Sequence, residues 1–213
     1  MFVIVVLLSH YLASRCGQER IRGRNVVELG AGSALAGLVA ARFANSVALT
    51  DGNEIVMDLL KRNAESYQNH LQSTTNKQTK IYTSEFQWGD RSRLKELISV
   101  LGGHVDVVVA ADVVQWPDVI VDLVHSVKAL LWSSEAKQPV FILGIVNRAC
   151  STYNSFFEVA AAQGFSWKKI ESTEFLQDGV VPKSCQEFGG RETEIYEVFL
   201  IDRSKVPILL EEK

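Results

Sequence analysis

The chain has 213 residues, of which 47% are apolar, and a formal net charge of −3. That length suits one α/β domain with a sizeable core, and the slight acidity excludes the broad basic surface on which phosphate-driven nucleic-acid binding depends, leaving only a local patch for that role. Cys16, Cys150 and Cys185 lie far apart with no C-x-x-C, and the four histidines have no H-x-x-x-H spacing, so neither a disulfide framework nor a metal site is expected.

Residues 1–8 are almost wholly apolar. The run is too short to span a bilayer and lacks the basic start and small-residue cleavage site of a signal peptide. It reads as a packing segment leading into a helix over 7–14, the alternative being a membrane-associated N-terminus. Residues 17–24 read as a charged connector. An apolar strand over 26–29 then meets Gly30 and Gly32, which let the backbone turn tightly and approach a ligand. Ala- and Leu-rich residues 35–43 favour helix, and 46–50 form a second strand that ends in Asp51. Residues 55–69 are an amphipathic helix, followed by a polar stretch over 70–80 that reads as a loop or a helix end running into one.

A third strand is expected over 80–84, with Trp88–Gly89 just past its end. A helix over 91–101 stops at Gly102–Gly103. Residues 105–111 read V-D-V-V-V-A-A, a central strand covered on both faces, and it ends at Asp112. Pro117 precedes an amphipathic helix over 118–131. A buried strand over 139–146, a helix over 153–163 closed by Gly164 and a strand over 165–170 follow. Residues 171–191 read as loop-rich, 194–202 as a final strand, and 204–213 as a tail. Alternating strand and helix implies a mostly parallel sheet with helices on both faces. Two last strands without a clear helix between them imply one antiparallel strand at or near an edge. No repeat or linker divides the chain, so residues 1–213 are expected to form one domain, with 1–24 as its N-terminal packing segment.

Ligands of open α/β sheets bind beyond the C-terminal strand ends. Residues 30–34, Asp51, Trp88 and Asp112 come from four successive strand ends and would meet there. A glycine turn between strand and helix gathers backbone N–H groups at a helix N-terminus. An acid at the next strand tip, about 20 residues on, can hydrogen-bond two ribose hydroxyls. The dinucleotide pattern G-x-G-x-x-G would place its third glycine on Leu35, which is too large. E-x-G-x-G-x-(G/A) fits instead, as Glu28, Gly30, Gly32 and Ala34. Trp88 has an alternative reading as a core aromatic, and Asp112 as a helix-capping or surface acid.

That shorter pattern resembles motif I of class I S-adenosylmethionine methyltransferases. The order E-L-G-A-G, L-T-D, W-G and A-D-V-V, spread from about His10 to Asp202, resembles methyltransferase family 16, the seven-strand lysine methyltransferases of non-histone proteins. The resemblance implies a Rossmann-like, mostly parallel seven-stranded sheet with one antiparallel strand, and S-adenosylmethionine as cofactor. It implies that Glu28, Gly30 and Gly32 cradle the methionine and ribose and that Asp51 holds the ribose hydroxyls. Trp88 would lie near the adenine, with Ala111 at the cofactor and Asp112 facing the methyl donor and the target amine. The family's D-x-x-aromatic segment here ends in Gln115, and Trp116 follows as the aromatic that could serve. Members carry more residues before motif I than this chain does. The acceptor would be a protein lysine. Two other readings stay open: a non-catalytic binding protein with this fold, and a methyltransferase acting on RNA or a small molecule. The absence of prolines in 112–115 counts against a nucleic-acid base as acceptor. A monomer of cytoplasm or nucleus, away from membranes, is the expectation.

Overall fold

The computed structural model describes residues 3–75, 79–176 and 192–211. The apolar N-terminus is helical from its start, as α1 (Val3–Ala13), earlier than the helix expected over 7–14. Val and Ile are indifferent helix formers. Burial overrides that, because Ile4, Leu7, Leu8, Tyr11 and Leu12 recur at helical spacing and all lie in the core. Residues 17–24 are not a connector. Ser14 caps α2 (Arg15–Ile21) by accepting a hydrogen bond from the Gly17 N–H, and Ile21 is fully buried. Only the polar face of this short helix shows in the sequence as a run of charge.

The strands are β1 (Asn25–Leu29), β2 (Ser46–Asp51), β3 (Lys80–Glu85), β4 (Val107–Ala111), β5 (Val140–Val146), β6 (Phe165–Ile170) and β7 (Thr193–Leu200). They form one sheet in the order β3-β2-β1-β4-β5-β7-β6. Neighbours from β3 to β5 are parallel. Strand β7 is antiparallel to both β5 and β6 and lies one place in from the edge.

Helices α3 (Leu35–Ala41), α4 (Glu54–Thr75), α5 (Arg91–Val100), α6 (Ile120–Trp132) and α7 (Cys150–Ala162) connect the strands. Alternate strand residues face opposite layers. Val26, Leu49, Val107 and Ile142 pack with α1, α3 and α4, while Val27, Val108, Ala110 and Phe141 pack with α5, α6 and α7. Strands β1 and β5 are buried at every residue; the unbroken apolar sequence of β5 requires this, whereas β1 buries Asn25 and Glu28 along with its apolar residues. Helix α4 continues to Thr75, so that of the two readings of residues 70–80 the helix end running into a loop is the one found, because Leu71 extends the buried stripe of Leu60 and Ala64. Helix α6 begins later than expected, after a 3-10 turn over Pro117–Val119. Of the loop-rich segment, 177–191 lie outside the described residues. The tail is tied down: the Arg91 guanidinium donates to the Ile208 carbonyl at 2.5 Å, and Leu209 and Leu210 pack on the core.

The N-terminal helices are fastened to the sheet. A Cβ at Gly144 of β5 would stand 2.8 Å from Ile4, so α1 lies directly on that strand. Glu197 of β7, only 3% exposed, accepts from the Tyr11 hydroxyl at 2.5 Å and from both Nε and Nη2 of Arg20 at 2.7 and 2.8 Å. Among the described residues no helix is long and apolar enough to cross a membrane.

Candidate functional site

A cleft of about 530 Å³ opens beyond the C-terminal ends of β1 to β4. It lies at the point between β1 and β4 where the strand order reverses, the usual ligand position in such sheets. Glu28, Gly30, Gly32, Asp51, Trp88, Ala111, Asp112 and Trp116 all line it, so the residues singled out in the sequence meet at one cavity.

The glycine turn has a steric reason. Gly30 has φ +64°, and a Cβ there would stand 2.8 Å from the Val113 side chain and 3.6 Å from Trp88. The turn thus lies close beneath the segments that follow β3 and β4. From the other side, the Asn63 amide of α4 donates to the Ser33 carbonyl at 3.0 Å. Asp51 is aimed by two backbone donors. The Gly32 N–H reaches its Oδ2 at 3.0 Å and the Asn53 N–H its Oδ1 at 2.9 Å. Each oxygen keeps acceptor capacity for a hydroxyl.

Glu28 is 2% exposed, and its Oε2 accepts the Gly37 N–H at 3.0 Å. A Cβ at position 37 would come within 2.4 Å of that oxygen, so only glycine leaves the carboxyl room. Burial pushes the Glu28 carboxyl up to about 8; the Gly37 hydrogen bond opposes this rise and the negative charge of Asp51 adds to it. A cation entering the cleft would draw Glu28 toward its ionised form.

Trp88 is half-buried and packs on the core while also lining the cleft, so its two sequence readings describe one position. Asp90 two residues on caps α5 by accepting the Ser92 and Arg93 N–H groups.

Asp112 takes the left-handed conformation, φ +58°, and its N–H donates to the Gly144 carbonyl at 2.9 Å. Its two carboxylate oxygens accept from Nε and Nη2 of Arg148 at 3.1 and 2.6 Å. Gln115, at the position where the family pattern has an aromatic, turns back so that its amide donates to the Asp112 carbonyl at 2.5 Å. Trp116 stands at the rim, 59% exposed. Asp112 therefore belongs to the wall of the cleft, with Arg148 across its carboxylate.

Sequence reasoning missed several lining residues, among them Val5 of α1, Val119 and Asp122. Val5 was hidden in a uniformly apolar run, and Asp122 lies on the polar face of an amphipathic helix. Neither carried a local signal.

The donor set fits a nucleoside with a cationic tail. Acceptors of Asp51 suit vicinal hydroxyls, the aromatic face of Trp88 suits a base, and the buried Glu28 suits a positive group. With this site at the switch point of its sheet, the fold is that of the Rossmann-like methyltransferases. The chain belongs to the lysine methyltransferase family, whose model matches residues 2–163. A calmodulin-lysine N-methyltransferase of Arabidopsis thaliana is 34% identical over 137 residues, which cover 63% of this chain and 41% of that protein. The protein N-lysine methyltransferase METTL21A of Mus musculus is 34% identical over 122 residues, 57% of this chain and 50% of that protein. The chain spans half or less of the length of these curated relatives. Among solved structures, a TehB-like SAM-dependent methyltransferase from Corynebacterium glutamicum matches with TM-score 0.56 and 14% identity over 92% of this chain and 88% of that one. A magnesium protoporphyrin IX methyltransferase from Synechocystis with bound SAM matches with TM-score 0.57 and 15% identity over 92% and 77%. At such identities the likeness is one of fold.

Proposed function

We propose that the protein transfers a methyl group from S-adenosylmethionine to a lysine amine of a non-histone protein. The observation that carries this reading is the meeting of Glu28, the Gly30–Gly32 turn, the doubly anchored Asp51 and Trp88 at one cleft. Family membership and the lysine-directed activities named for its relatives support the choice of acceptor.

S-adenosylmethionine supplies an electrophilic methyl on a sulfonium. Glu28 and the glycine turn hold the methionine and ribose, Asp51 the ribose hydroxyls, Trp88 the base, and Ala111 the wall beside the donor. Positioning is the main catalytic effect required of the chain. A lysine amine, with an ordinary pKa of about 10.4, must be neutral to attack. A bound substrate segment would cover Trp116 at the rim, and that apolar cover together with Val113 would favour the neutral form by excluding water from the amine. Asp112 fixes the turn beneath the acceptor, and its pairing with Arg148 offsets a negative charge that would otherwise hold the amine as an ammonium.

Calorimetric titration with S-adenosylmethionine tests the cofactor site. Incubation of cell extract with labelled cofactor, then separation into protein, RNA and small solutes, tests the acceptor; label confined to RNA or small solutes overturns it. The engaged Asp112 carboxylate and Gln115 favour a second reading, a cofactor-binding protein without transfer. Cofactor binding with no label in any fraction would establish that one. Our reading also makes the protein a monomer of the cytoplasm or nucleus, with a protein partner, without strong nucleic-acid binding and away from membranes. Light scattering and cell fractionation test these points.

A further inference from the structure

The segment after β4 reads Asp112-Val113-Val114-Gln115 and is tied back on itself. The Gln115 side-chain amide donates to the Asp112 carbonyl at 2.5 Å. Only the NH2 end of an amide can donate to a carbonyl, so this bond fixes which way round the amide sits. Its nitrogen is occupied within the turn, and its oxygen, Oε1, is on the other branch. Among the described residues no donor hydrogen-bonds Oε1, and no side-chain oxygen is buried without a partner. Oε1 is therefore open, on a half-buried residue of the cleft wall beside Trp116.

The nearest charge in the chain is balanced. Both carboxylate oxygens of Asp112 accept from the Arg148 guanidinium, at 3.1 and 2.6 Å. The other charged residues of the lining are Glu28 on β1, Asp51 at the end of β2 and Asp122 on α6. Asp118 is exposed on the 3-10 turn between Gln115 and α6, and α1 brings only the uncharged Val5 to the cleft. Gln115 thus offers a neutral acceptor beside a carboxylate that is already paired.

We propose that Gln115 orients the target amine, its Oε1 accepting a hydrogen bond from the neutral lysine nitrogen and aiming the lone pair at the methyl donor. The proposal rests on the lysine-transfer reading above and gives a role to the residue that stands where the family pattern has an aromatic. The lysine ammonium first gives one proton to water. The lone pair so freed forms the N–C bond, the C–S electron pair stays on sulfur as a neutral thioether, and the nitrogen becomes a methylammonium. Positive charge therefore develops on the nitrogen that Oε1 touches, and an acceptor aimed there is stronger in the transition state than before it. A carboxylate at the same place would hold the amine as an ammonium; the amide accepts without that charge.

The test is transfer of labelled methyl from S-adenosylmethionine by the full chain to heat-treated cell extract, whose own methyltransferases are inactivated. Label in the protein fraction is followed from about pH 6.5 to 9.5, below and into the ordinary lysine range, and initial rates in dilute extract follow kcat/KM. Wild type, Gln115→Leu and Gln115→Glu are compared. Neither variant can donate to the Asp112 carbonyl, so a loss common to both belongs to the turn, and their difference belongs to the oxygen and its charge. Gln115→Leu should be slower by about 10-fold, the scale of one hydrogen bond, with the acidic limb of its pH profile where the wild type has it. Gln115→Glu should move that limb upward by about one unit and regain rate at high pH. Equal losses in both variants with an unmoved limb, or no loss in either, overturn the proposal. Thermal melts and titration with S-adenosylhomocysteine verify folding and cofactor binding; if Gln115→Leu does not fold, the limb of Gln115→Glu decides. If the wild type labels protein and the two variants behave alike, the lysine reading survives and this inference alone falls. If the wild type binds the cofactor and labels no protein, both fall.

Discussion

Replacing Glu28 by Gln changes one atom of a side chain that is 2% exposed and keeps an oxygen for the Gly37 N–H. It removes the ionisation. In the folded chain burial raises the Glu28 carboxyl from 4.5 to about 8. Between those two values the native state therefore holds a proton that the unfolded chain has released. Stability contributed by this group is complete below about 4.5, falls as pH rises through the window, and is level above about 8. At about 1.4 kcal/mol per unit, the wild type should lose roughly 4 kcal/mol relative to Glu28→Gln between about pH 5 and pH 9. Urea denaturation of both proteins across that range measures the difference, in which the titrations common to both cancel. Parallel stability curves would refute the reasoning, because they would mean that Glu28 ionises freely in the folded chain.

Asp51→Ala should weaken S-adenosylmethionine binding by about 1–3 kcal/mol, the cost of charged hydrogen bonds; calorimetry reads it, and unchanged affinity would remove Asp51 from the ribose site. Arg20→Ala leaves the buried Glu197 with the Tyr11 hydroxyl as its remaining donor among the described residues, and should destabilise the fold by about 3 kcal/mol in chemical denaturation. Gly37→Ala places a Cβ 2.3 Å from Leu49 and 2.4 Å from Glu28 Oε2. It should cost about 1–3 kcal/mol by overpacking and weaken cofactor binding as Glu28 shifts, seen as a lower melting temperature together with a weaker titration.

The centre of the sheet was legible because its signals are local. Glu28, the two glycines and Asp51 fall within one β-α-β unit, and each residue type there answers to one backbone demand. Long-range facts were not legible in the same way. The helix beginning at Val3 carries no apolar period, since almost every residue in the run is apolar; its register is set by Gly144, far along the chain. Arg148 could not be paired with Asp112 beforehand, because the two stand 36 residues apart and meet only as β4 and β5 become neighbours. Helix α2 was hidden by its length, too short for an amphipathic period to declare itself. Trp88 shows the limit of choosing between core and site, since the residue is in both.

The Tyr11–Glu197 bond joins positions 186 residues apart. Contacts of such separation are entropically slow to close. During synthesis α1 emerges long before the strand that fastens it, so an apolar helix must wait, unclasped, while the residues between them are made. Val5, which walls the cleft, rides on that helix. One wall of the pocket thus depends on a clasp made by a strand that does not itself line the pocket, and a nascent chain stopped before Glu197 would hold that wall by apolar packing alone.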